Sequence, residues 1–177
     1  MIVLRPADAE ETIFAWQTAV EATRPTALIL SRQNIKNLPA ASGNRRAEAQ
    51  QLSKGGYIVC DSEGQPDVVM LASGSEVATL VEGMTLLNEA GLKTRIVSVP
   101  SEGLFRDQPA AYQENVLPKG VKRFGLTSGL PVTLQGLVGD NGQIHGMPSF
   151  GYSAPYNVLD EKLGFTGTNV FNIVKNM

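Results

Sequence analysis

The sequence predicts an α/β protein with a mostly parallel sheet, and three observations carry that prediction. Short apolar runs of strand length recur at Ile2–Leu4, Thr26–Leu30, Asp67–Ala72, Lys93–Val99 and Val121–Leu126. Longer stretches with helical apolar spacing separate several of them, so successive strands are joined by crossovers and pair in parallel. Hydrophobic residues make up 42% of the 177 and charged residues 18%, enough apolar material for a buried core.

Taken in order, Ile2-Val3-Leu4 is a buried strand stopped by Arg5-Pro6. Asp8 and Glu11 then have capping-box spacing, which opens a helix whose apolar stripe runs through Ile13, Phe14, Trp16 and Val20. Arg24-Pro25 ends that helix, and Thr26–Leu30 completes a βαβ unit that is too small to fold alone. Residues 33–55 lack sustained periodicity and carry Ser42-Gly43-Asn44 and Gly55-Gly56; they are expected to be a linker with a short helical turn near Ala47–Leu52. Tyr57–Cys60 is expected as an edge strand and Asp67–Ala72 as a buried one. Ser73-Gly74-Ser75-Glu76 then opens a helix through Ala90, with Val77, Leu80, Met84 and Leu87 on its inner side and Gly91 at its end.

Lys93–Val99 is the next strand, followed by short helices near Ser101–Arg106 and Pro109–Asn115. Val121–Leu126 precedes a helix expected to run from Ser128 to Leu137. Ile144–Met147 is the last expected strand, and helices at Pro155–Leu163 and Gly167–Asn176 close the chain. Residues 56–177 therefore predict a three-layer α/β/α domain, preceded by the βαβ unit.

Composition also removes function classes. A net charge of −2 gives no basic footprint for nucleic acid. No apolar run approaches the roughly 18–20 residues a membrane helix needs, and no secretory signal pattern opens the sequence, so a cytoplasmic protein is expected. The single cysteine, Cys60, excludes an internal disulfide, and the single histidine, His145, excludes multi-histidine metal sites.

Few residues look like chemistry. The Ser73–Glu76 turn has the strand-to-helix position where open sheets hold anions, but Glu76 opposes a phosphate, and a capped helix start is the plainer reading. Gly139-Asp140-Asn141-Gly142 approximates a Gly-Asp-Gly diphosphate–magnesium motif, in which an Asn pair follows about thirty residues on. Asn141 replaces the second glycine, and Thr168 precedes Asn169 where another Asn belongs, so a polar turn fits better. Cys60 has no basic neighbour in sequence and is expected to be an inert thiol, and His145 to be structural. Arg45-Arg46 is expected to be a solvated pair. Arg32 follows a buried strand at its carboxyl end, where a guanidinium either grips a phosphate or makes a structural salt bridge.

Arg5-Pro6-Ala7-Asp8 and Arg24-Pro25-Thr26-Ala27-Leu28-Ile29-Leu30-Ser31-Arg32-Gln33 resemble the closing part of the pyrimidine-binding domain of transketolases. Gly55-Gly56-Tyr57, Ala72-Ser73-Gly74-Ser75-Glu76-Val77, Val97-Ser98-Val99-Pro100-Ser101, Phe150-Gly151-Tyr152-Ser153-Ala154-Pro155 and Gly164-Phe165-Thr166 resemble successive signatures of that family's C-terminal domain. The matches are collinear along the chain. The resemblance implies that residues 1–32 are the tail of a pyrimidine-binding domain, 33–55 a linker and 56–177 the transketolase C-terminal domain.

It further implies a dimeric enzyme of the pentose phosphate pathway, which transfers a two-carbon ketol unit between ketose and aldose phosphates using thiamine diphosphate and magnesium (or calcium). The family's cofactor motif and catalytic residues lie upstream of the matched segments, so this chain alone is expected to be inactive and to hold no cofactor. Arg32 is the one matching active-site position, as a clamp for the sugar phosphate. Two segments depart from the family pattern: Gly125-Leu126-Thr127-Ser128-Gly129 stands where an acidic residue after the strand is common, and Leu130-Pro131-Val132-Thr133-Leu134 where the family is aromatic-rich. The other expectations are the second chain of a split transketolase, docking on a front-half chain, and a non-catalytic oligomerisation or small-anion-binding module.

Overall fold

The computed structural model describes residues 1–177. Strands β1 (Ile2–Leu4) and β2 (Thr26–Leu28) pair in parallel and are joined by helix α1 (Ala9–Glu21). The predicted cap is present: Asp8 accepts from the Glu11 amide at 2.8 Å, and the Glu11 carboxylate accepts from the Ala7 amide at 2.8 Å. The expected apolar stripe divides, and only its Phe14 packs against the small core. Helix α1 turns Glu11 and Ala15 inward, while Ile13, Trp16 and Val20 are exposed, Val20 to 79%. Strand β2 is also shorter than predicted, because its pairing partner ends at Leu4; Ile29 and Leu30 beyond it are half exposed.

Residues 33–55, read from sequence as a linker, wrap closely around this unit. They include α2 (Arg45–Ala49) and a 3₁₀ turn (Gln50–Lys54), and they bury Leu38, Ala49 and Leu52. Leu52 joins Ile2, Leu4 and Ala15 in a small core of its own.

The larger sheet contains β3 (Tyr57–Cys60), β4 (Val68–Ala72), β5 (Thr94–Ser98), β6 (Lys122–Leu126) and β7 (Gln143–His145), in the order β3-β5-β4-β6-β7. All neighbours are parallel except the edge strand β3, which is antiparallel to β5 with an irregularity between Ile58 and Cys60. All five residues of β4 are buried, as expected for a central strand covered on both faces. Alternation along β4 divides them: Val68, Met70 and Ala72 face one core, Val69 and Leu71 the other.

The first core lies under α3 (Glu76–Glu89) and α8 (Gly167–Lys175), through Val77, Leu80, Leu87, Val170 and Val174. The second lies under α4 (Glu102–Arg106), α5 (Ala110–Val116) and α6 (Val132–Val138), through Phe105, Val116 and Leu137. The three predicted layers are therefore present. Helix α6 begins at Val132, later than predicted, because Ser128 and Gly129 belong to the turn leaving β6. Helix α7 (Tyr156–Leu163) has no buried residue. No helix is long and apolar enough to cross a membrane.

Candidate functional site

The carboxyl ends of both sheets meet where the small N-terminal unit contacts the large one. Arg5, just after β1, crosses this junction. Its Nη1 donates to the Ser73 carbonyl at 3.0 Å, and its Nη2 donates to Ser128 Oγ at 2.9 Å and to Glu76 Oε1 at 3.0 Å. The Ser73–Glu76 turn thus holds a cation, and neither serine caps α3 through its side chain. The capped helix start expected there is present by position, with Ser75 at the N-cap but without a side-chain cap bond, and the anion cradle weighed against it is filled by the guanidinium.

Beside Arg5 opens a cleft of about 650 Å³ whose walls include Arg32, Lys36, Glu76, Tyr152 and Tyr156. Arg32 lies on the segment leaving β2. That segment is pinned at its start by the Ile29 amide donating to the Leu4 carbonyl at 2.9 Å. It is pinned at its far end by the Leu38 amide donating to Asp8 Oδ2 at 3.0 Å. Lys36 between them pairs with Glu82 at 2.9 Å. The chain's ion pairs are made by Arg5, Arg24, Lys36, Arg45, Arg95, Arg106 and Lys119, and Arg32 is in none of them. Of the two roles left open for Arg32, the intrachain salt bridge is absent. An exposed, uncommitted guanidinium faces the cleft.

Beneath this segment lies a buried polar cluster. Arg45 Nε donates to Asp8 Oδ2 at 2.7 Å; its Nη2 donates to Tyr57 Oη at 2.8 Å and lies 3.3 Å from Glu11 Oε1. Tyr57 donates to the same Glu11 oxygen at 2.6 Å. The Asp8 and Glu11 side chains are fully buried, and that of Arg45 is 9% exposed. This corrects the solvated Arg45-Arg46 pair: Arg46 is exposed, whereas Arg45 is drawn inward by two carboxylates.

Burial raises the Glu11 pKa, and its bonds from Tyr57 and Ala7 only partly offset this. Burial works against the Arg45 charge, but the bonds it donates to Asp8 and Tyr57, with their charges, more than reverse the effect and raise its pKa. The Tyr57 hydroxyl is pushed up by burial and by the neighbouring Glu11 charge. Sequence reasoning gave Arg5 no role beyond stopping the first strand and misread Arg45 as solvated. Arg5 had the same signal as Arg32, a guanidinium directly after a buried strand.

The remaining candidates are structural. The Cys60 thiol is pushed up to about 11, first by burial and then by Glu48. His145 Nε2 lies 2.8 Å from the Leu163 carbonyl, and so is the donor; its ring leans on Phe165. Asp140 and Asn141 are exposed in the turn before β7, and Asn169 Nδ2 donates to the Gly164 carbonyl at 2.9 Å. No group of three or more His, Cys, Asp or Glu side chains is placed to hold a metal. These residues do not fit a diphosphate-bound cation.

The architecture is thus an open α/β sheet joined at its strand ends to a two-strand unit that carries a free guanidinium. A family profile described as "Transketolase-like TK C-terminal domain" matches residues 55–166. The chain belongs to the transketolase family. It is 42% identical over 175 residues to Transketolase 2 of Vibrio parahaemolyticus, a match covering 98% of this chain and 26% of the relative. It is 40% identical over 174 residues to the transketolase of Aquifex aeolicus, covering 97% and 25%.

Among solved structures it resembles the transketolase from Leishmania mexicana (TM-score 0.87, 33% identity, 99% of this chain and 25% of that one). It shares the fold of a protein titled "Split gene transketolase, inactive beta4 tetramer" (TM-score 0.77, 19% identity, 99% of this chain and 57% of that one). The chain spans about a quarter of the length of the curated relatives it matches.

Proposed function

We propose that this chain is the C-terminal portion of a transketolase and contributes the phosphate grip of an enzyme that moves a two-carbon ketol unit from a ketose phosphate to an aldose phosphate. In this reading residues 1–32 close the pyrimidine-binding domain, 33–55 bridge to the next unit, and 56–177 form the C-terminal domain. The supporting observation is the uncommitted Arg32 guanidinium at a cleft wall. Its planar fork matches phosphate oxygens in a bidentate way, and nothing in the chain competes for it.

Thiamine diphosphate with magnesium or calcium supplies a carbanion sink when bound to the complete enzyme. In this reading the rest of the enzyme holds that group. The chain's own work is to orient a sugar phosphate and to complete a dimer, in a cytoplasmic setting.

A second reading, the docking chain of a split enzyme, is favoured by the apolar surface left open. Trp16, Val20, Leu30 and Phe150 are 54%, 79%, 51% and 97% exposed. The fold neighbour titled as a split-gene transketolase in an inactive tetramer is a precedent for such a chain being inactive alone.

One experiment tests both readings. The 177-residue chain is assayed for ketol transfer with cofactor and magnesium, alone and mixed with a polypeptide carrying the other three quarters of a relative. Inactivity alone and activity on mixing are expected. Turnover by the isolated chain, or magnesium-dependent binding of thiamine diphosphate to it, overturns the proposal. In the active mixture Arg32→Ala should raise KM for a phosphorylated acceptor about 10- to 100-fold, the loss of a charge-assisted contact. A non-phosphorylated acceptor should be unaffected; an equal loss for both would remove Arg32 from the phosphate.

A further inference from the structure

Open α/β sheets hold ligands in the crevice outside the strand ends, where successive crossovers leave in opposite directions. In this sheet β4 is central, with β5 on one side and β6 on the other, so that crevice lies between the ends of β4 and β6. Its walls are Ser73-Gly74 and Thr127-Ser128-Gly129. Protein fills it. Besides its bonds to the Ser73 carbonyl, Ser128 and Glu76 Oε1, Arg5 places Nη1 3.4 Å from Ser73 Oγ and Nη2 2.7 Å from Glu76 Oε2.

The Arg5 backbone is held as well. Its amide donates to the Pro100 carbonyl at 2.8 Å, and its carbonyl accepts from the Gly74 amide at 3.1 Å. Gly74 has φ +65°, and a Cβ there would lie 2.8 Å from Arg5 Nε, so glycine gives the guanidinium its room. The Glu76 side chain is 7% exposed. A carbonyl, two hydroxyls and a nearly buried carboxylate form a set of acceptors around a flat slot, which suits a planar cation and repels an anion.

We propose that this crevice is a guanidinium-binding site, occupied in the intact chain by Arg5, and that its ligand class is the monoalkylguanidinium ion. The Arg5 side chain stands between the 650 Å³ cleft and a second cavity of about 580 Å³, lining both. Removing it leaves a slot open to solvent from two sides. The position where such sheets usually take a nucleotide or an anion instead joins the two units through a cation. This holds whatever Arg32 binds.

The test is chemical rescue in the full chain. Arg5→Ala should melt at a lower temperature than wild type, and ethylguanidinium at millimolar concentration should raise its midpoint saturably, by about 2–4 °C. Ethylammonium should not, and neither wild type nor Arg5→Ala/Glu76→Gln should respond to ethylguanidinium. Absence of a saturable rise, or an equal rise in wild type, overturns the proposal. Should Arg5→Ala not melt cooperatively, its refolding yield is the readout. Recovery with ethylguanidinium and not with ethylammonium supports the site, and no recovery with either overturns it.

Discussion

Replacing Arg45 by Leu tests the buried cluster most directly. The substitution is close in bulk at the stem, but it removes the one cation that pairs with Asp8 and Glu11, both fully buried. Asp8 keeps its bonds from the Glu11 and Leu38 amides, and Glu11 keeps those from Tyr57 and Ala7. Those bonds satisfy lone pairs without neutralising charge. Removing one partner of a buried ion pair costs about 3–5 kcal/mol, a large part of the roughly 5–15 kcal/mol by which domains are stable. At about 2–4 °C per kcal/mol for a chain of this size, the melting midpoint should fall by roughly 6–20 °C. Urea unfolding followed by circular dichroism measures the same loss. Arg46→Leu, one residue along and exposed, should stay within about 0.5 kcal/mol of wild type. Arg45→Lys should not restore stability, because one ammonium cannot replace an Nε and an Nη2 that reach three side chains. An Arg45→Leu chain within about 1 kcal/mol of wild type would refute the assignment of Arg45 as the charge that makes this burial tolerable.

Three further outcomes follow from the same structure. Burial raises the Glu11 pKa, so the folded chain binds a proton there more readily than the unfolded chain, and Glu11 lowers stability as pH rises from its ordinary 4.5 through the raised value. The stability difference between wild type and Glu11→Gln should therefore move in favour of wild type on acidification from neutral towards pH 4.5, and thermal melts across that range would show the opposite trend if the shift is downward. Cys60, pushed up to about 11, should be thiolate in only about one molecule in ten thousand at pH 7 and should react with iodoacetamide far more slowly than the same chain in denaturant; equal rates would contradict it. Gly83→Ala on α3 would set a Cβ 2.6 Å from Val170 Cγ1, and because valine is stiff at χ1 the overpacking should outweigh the gain in helix propensity, lowering stability by about 1 kcal/mol or more in urea titration.

How much of this was legible depended on whether the signal was local. The sheet was legible because strands such as Val68–Ala72 are apolar throughout and helices such as α3 keep their apolar residues on one face. The Asp8–Glu11 cap was legible because its partners are three residues apart. The buried cluster was not, since Arg45 lies 37 residues from Asp8 and 34 from Glu11, and a charged pair in a polar stretch has no local sign of being enclosed. Arg5 was hidden for the same reason: its acceptors lie 68 to 123 residues away. The stripe on α1 misled in the other direction. Its periodicity was read correctly, but periodicity says which residues share a face, not whether this chain supplies the partner for it.

That distinction bears on what the chain can do alone. A helix that leaves Ile13, Trp16 and Val20 partly in water, Val20 most of all, forgoes part of the stabilisation those side chains give when fully buried, about 1.5–3 kcal/mol for a large aliphatic side chain. The junction with the large sheet shows the reverse economy, holding Arg5 and Arg45 in polar contacts whose disruption is expensive. The N-terminal unit is thus fixed firmly to the sheet behind it and left apolar on the face in front. A surface built this way gains stability from association. The segment that carries the Arg32 guanidinium is pinned to Leu4 and Asp8 by bonds within this chain, so its position does not wait on whatever covers the apolar face.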